Sequence, residues 1–112
     1  MIGINYPIEL DTKHIAKHLP NTPQMQRLLK KGLAVHIFIN AQILESVTQA
    51  IIERGEYIGK IRQYERYGLY FSEVIGYRIS PDSTQINLYY GEIKINEDNK
   101  YHVIPRTKPS TE

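Results

Sequence analysis

Apolar side chains change their spacing at Gly55. Before it, Ile43, Leu44, Val47, Ala50 and Ile51 recur at the three-, four-, seven- and eight-residue intervals of one helical stripe. Asn40 stands ready to cap that helix over Ala41–Arg54, and Gly55 to end it. Beyond Gly55 the period falls to two, the spacing of strands with one buried face. A helix stripe and an apolar sheet face each need a partner, and packing one on the other satisfies both. This predicts an α+β domain: N-terminal helices followed by an antiparallel sheet of four to six strands, with one main helix packed on a face.

The remaining punctuation fits that reading. Tyr6-Pro7 disfavours helix, so residues 1–10 are expected as an extended arm. Asp11 can cap a short helix over 12–19, which Pro20 stops. Thr22-Pro23 restarts a second helix with Met25, Leu28 and Leu29 on one side and Gly32 at its end. A strand is expected over 33–39, with Leu33, Val35, Ile37 and Ile39 on one face and His36 and Phe38 on the other. Later strands are expected over 57–64, 67–71, 74–80, 86–96 and 101–105, with turns at 81–84 and 97–100. Within 86–96 the apolar parity flips: Ile86, Leu88 and Tyr90 are even, Ile93 and Ile95 odd. A bulge at Gly91 would account for the flip. No linker divides the 112 residues, so one domain over 1–112 is expected, with a flexible tail at 107–112.

Composition excludes some chemistry. The chain has no cysteine, which removes disulfides, thiol nucleophiles and thiolate metal sites, and suits the cytoplasm. The start of the chain lacks the pattern of a secretory leader, and no apolar run approaches the length of a membrane span. The net charge of +2 permits an anionic partner without demanding one. Gly55–Lys60 fails as a phosphate loop: three residues separate its glycines, and Ile61 stands where Ser or Thr belongs. His14 and His18 share one helical face, but no third ligand is evident, and a pair of surface histidines is the simpler reading. No metal and no cofactor is expected.

Two sets of residues invite a functional reading. Arg62, Arg66, Tyr67 and Tyr70 interleave cations with aromatic rings, which suits base stacking and phosphate contact; it equally suits a half-buried sheet with wet hydroxyls. Arg78, Glu92, His102 and Arg106 are spread over the last strands. If those strands adjoin, Glu92 can serve as a base, His102 as an acid, and Arg78 and Arg106 as phosphate clamps, the requirements for cleaving RNA without a metal. A cross-strand ion pair beside an exposed histidine explains the same residues. His36 fits either a buried histidine bonded to backbone or a catalytic group.

Four segments, Tyr64–Phe71, Ile75–Ser80, Leu88–Lys94 and Tyr101–Pro109, resemble a family of small uncharacterised proteins associated with cyanobacterial genomes. The element order is also similar to that of the barnase/RelE-like ribonuclease toxins, which implies a metal-independent enzyme acting on RNA from a sheet face. Two alternatives stand beside it. One is a non-catalytic module that binds a cognate protein or nucleic acid through a tyrosine-rich face. The other is a homodimer paired through a sheet edge.

Overall fold

The structure, a computed structural model, describes residues 3–15 and 18–111. Its elements run β1 (Glu9–Leu10), a 3-10 turn (Thr12–His14), α1 (Pro23–Lys30), β2 (Val35–Phe38), α2 (Ala41–Arg54), β3 (Glu56–Ile61), β4 (Tyr64–Tyr70), β5 (Gly76–Ile79), β6 (Gln85–Leu88), β7 (Tyr90–Ile95) and β8 (Lys100–Arg106). The class is α+β, but strands β1 and β2 interleave with the helices instead of following them. The strands form a five-stranded sheet, β1-β8-β7-β4-β3, and a three-stranded sheet, β2-β5-β6. All pairings are antiparallel except β1 with β8.

Helix α2 forms as its pattern requires. The Asn40 side chain accepts from the Ile43 amide at 2.8 Å, and Gly55 donates back to Ile51. Val47 and Ile51 are buried against Ile93, Ile95 and Val103 of the large sheet. Thr48 joins that face, its hydroxyl donating to the Leu44 carbonyl, whereas Ala50 is only half-buried. The N-terminal arm lies along the same core, with Ile4, Tyr6 and Ile8 packed on it and the Ile4 amide bonded to the Ile52 carbonyl.

The expected helix over 12–19 includes residues 16 and 17, which lie outside the described residues, as do residues 1, 2 and 112. What is described is the single 3-10 turn. Asp11 accepts from the Lys13 amide two residues on, which favours the tighter winding. Helix α1 begins as expected, with Thr22 accepting from the Met25 amide and Pro23 at the first position.

Strand β2 serves two cores. Val35 and Ile37 pack with Met25, while Phe38, on the other side, is fully buried in the α2 core. His36 shares the Phe38 side. This double burial explains why both faces of the strand carry apolar residues. Strand β1 covers only Lys100 and Tyr101 of β8, leaving the rest of β8 to β2 and β5, which lie against it. Pro105, without an amide to donate, is tolerated on that uncovered stretch.

Two boundaries differ from expectation. The hairpin between β3 and β4 turns at Arg62-Gln63, both left-handed at φ 51° and 68°, within the range expected as one strand to residue 64. The parity flip in 86–96 is not a bulge. The chain leaves the small sheet after Leu88 and enters the large one at Tyr90, so the same alternation serves two surfaces. The irregularity lies instead in β3, between Tyr57 and Gly59. Gly91 has a different reason: a Cβ there would stand 2.6 Å from Val47 Cγ1, so glycine lets α2 sit close on β7.

Val47→Asp places an unpaired carboxylate in this contact. It should cost about 4 kcal/mol or more, read as a large drop in thermal midpoint. A midpoint within a few degrees of the unsubstituted protein would refute the packing assigned to α2.

Candidate functional site

Strand alternation sorts the residues of the large sheet. Register pairs Arg66 with Lys94 and Lys94 with His102, Gly68 with Glu92 and Glu92 with Ile104, and Tyr70 with Tyr90 and Tyr90 with Arg106. These residues share the face opposite α2. The expectation of a tyrosine- and charge-rich face is met in its composition, but not as one exposed surface.

Glu92 has no exposed surface. Its Oε1 accepts from the Ser110 amide at 2.9 Å, and its Oε2 accepts from the Ser110 hydroxyl at 2.6 Å and from Arg66 Nη1 at 3.1 Å. Arg106 Nε lies 3.9 Å from Oε1. Arg66, also buried, donates from Nη1 to the Ser110 hydroxyl and from Nε and Nη2 to the Ile61 carbonyl. Among the described residues, no buried side-chain polar atom lacks a partner. A carboxylate so enclosed has no path to a ribose hydroxyl, so the general-base role expected of Glu92 does not fit its position. Its role is to close a buried ion-pair network. The tail expected to be flexible from residue 107 enters that network at Ser110, which is itself buried.

His102 lies two rows along the same face. It is buried, with its ring 4.3 Å from that of His14 and edge-on to Tyr64 at 5.8 Å. It lines a cleft of about 190 Å³ with His18, His36, Lys94, Ile104 and Arg106. His36 reaches this cleft from β2 in the small sheet. His18 fixes its own tautomer there: Nδ1 is 2.8 Å from the His36 carbonyl, which can only accept, so Nδ1 carries the hydrogen. Arg78 pairs with His36 across β2 and β5. Burial, then the charges of Arg78 and Arg106, hold His36 below its ordinary value of 6.5 and favour the neutral ring. Lys94 Nζ sits over the Tyr64 ring at 4.8 Å from its centre.

The remaining expected residues separate. Arg62 is exposed at the β3–β4 turn, and Arg66 is spent on Glu92. Tyr67 faces α2 and stacks edge-on with Tyr57 at 5.2 Å, on the side away from Arg66. Tyr70 is 61% exposed over Tyr90, with ring centres 4.6 Å apart. The run 62–70 is therefore not a single stacking surface. His14 meets the His102 ring, and His18 meets the backbone of His36. Sequence reasoning missed Lys94 and did not place His18 or His36 in the site. The one local signal was Lys94 two residues after Glu92, hence on the same face.

The fold and cleft define a small α+β domain with histidines and cations gathered where two sheets meet. Over residues 6–110 the chain matches the model of a family described as a domain of unknown function (DUF6972), and it belongs to that family. No curated protein and no solved structure matches it.

Glu92→Ala strands the Arg66 guanidinium in the interior and should cost about 3–5 kcal/mol. Ser110→Ala removes one donor to the carboxylate and should cost about 1–3 kcal/mol. Chemical denaturation measures both; Glu92→Ala as stable as the parent protein would exclude a structural role for the network.

Proposed function

We propose that this domain is a metal-independent ribonuclease, with the cleft between the two sheets holding the scissile phosphate. The observation that carries the reading is one cleft lined by His36, His102, Lys94 and Arg106. Two imidazoles can divide acid and base work, while an ammonium and a guanidinium offset charge on the phosphorane. RNA in the cytoplasm is the substrate that a cysteine-free domain of this kind would meet.

In the reaction, neutral His36 takes the proton from a ribose 2′-hydroxyl. The 2′-oxygen attacks phosphorus, the bond from phosphorus to the 5′-oxygen breaks, and protonated His102 delivers its proton to that leaving oxygen. The products are a 2′,3′-cyclic phosphate and a free 5′-hydroxyl, with atoms and charge balanced. His36 suits the base role because its surroundings favour the neutral ring near pH 7. Lowering the pH through its depressed value protonates it and removes the base, so activity falls on the acid side. The acid must hold its proton to deliver it, so activity also falls on the alkaline side. A bell-shaped profile follows.

The test is purified protein incubated with total RNA and defined oligoribonucleotides in the presence of a chelator. Cleavage should persist, leave cyclic phosphate ends, and fall by about 10²–10⁴ in His36→Ala and in His102→Ala, while circular dichroism shows both folded. Equal cleavage by the variants would assign the activity to a different site. No cleavage by any protein, with RNA binding retained, would reduce the domain to a binding module.

A further inference from the structure

The sheet face carries a second cavity beside the cleft. It measures about 230 Å³ and is lined by Arg62, Tyr64, Arg66, Lys94 and Arg106, with Ser110 and Thr111 at one side. Lys94 and Arg106 line both hollows, so the two are adjoining compartments of one groove. The first lies toward β8 and β2, the second toward β4 and the turn at Arg62. Between β8 and β4 there are two strand spacings, about 10 Å, within reach of neighbouring phosphates on one strand.

The second compartment is also cationic. Among the described residues four basic side chains line it and no carboxylate does; the charge of one of them, Arg66, is matched by Glu92 beneath. Arg62 is held at its mouth by the left-handed turn, and the Tyr64 ring offers an aromatic face beside Lys94. Thr111 adds a hydroxyl, in a position set by the bonds of neighbouring Ser110 to Glu92, which use the Ser110 hydroxyl itself. Cations, one hydroxyl and one ring suit a phosphate with its attached nucleoside better than an apolar ligand.

Resting on the ribonuclease reading of the first cleft, we infer that the second compartment is a subsite for an adjacent backbone phosphate, so that the substrate class is single-stranded polyribonucleotide carrying a phosphate beside the cleaved linkage. Arg62 is the selecting residue, because of the two compartments it lines only the second and it takes no part in the acid–base chemistry; on its other side it borders a hollow with Glu97 and Asp98.

The test compares a uridine–adenosine dinucleotide, which has one internal phosphate, with the same molecule bearing an added 5′- or 3′-terminal phosphate. One of the two extended probes should be cleaved with kcat/KM about tenfold higher. Arg62→Ala should abolish that gain and leave cleavage of the unextended dinucleotide within about twofold. Binding of the 2′-deoxy versions, which have no attacking hydroxyl, reads the subsite without catalysis and should show the same gain and the same loss. No gain from either phosphate, or a gain that survives Arg62→Ala, overturns the subsite even where cleavage is confirmed. A binding gain that depends on Arg62, with no cleavage of any ribonucleotide, keeps the subsite and overturns the ribonuclease reading.

Discussion

A carboxylate with no exposed surface in the middle of a sheet must be compensated or the sheet does not form. Glu92 is in that position on β7, and residues of β4, of β8 and of the C-terminal tail turn to it. Arg66 comes from β4, on one side of it. Ser110 comes from beyond β8, on the other, and supplies both an amide and a hydroxyl. Because Arg66 also donates twice to the Ile61 carbonyl, the same guanidinium ties the β3–β4 hairpin to the centre of the sheet. Removing either charge leaves the other buried and alone, which costs far more than an exposed pair returns. The network therefore does for this face what α2 does for the opposite one: it defines the interior.

Electrostatic consequences follow. Glu92 is matched by Arg66 at 3.1 Å, and Arg106 approaches it only at 3.9 Å. Histidines 18, 36 and 102 border the same region. A groove of this composition attracts anions even though the whole chain carries only +2. Local arrangement, not net charge, makes the site basic.

Legibility from sequence tracked how local each determinant is. Helix α2, with its asparagine cap and terminal glycine, depends on contacts a few residues apart and was readable to its ends. The β3–β4 turn was not, because Arg62 and Gln63 occupy left-handed positions that usually hold asparagine or glycine. The parity change after Leu88 was visible, but its cause was not: a chain passing between two sheets and a chain with a bulge write the same pattern. Among site residues, His102 was identified, and Glu92 was recognised as needing a partner, yet its partners lie 18 and 26 residues away. The meeting of His36 with His102 depends on β2 lying against β8, a packing between sheets that periodicity along one strand cannot encode.

The central claim is that His36 and His102, from different sheets, border one anion-binding cleft. Nuclear magnetic resonance of the four histidine rings during titration with inorganic phosphate at constant pH and ionic strength examines it most directly. Saturable displacement of the His36 and His102 ring resonances with a common dissociation constant, abolished in Lys94→Ala, is the predicted result. Ring resonances of His36 and His102 that stay fixed as phosphate rises, or that shift with unrelated dissociation constants, would contradict it.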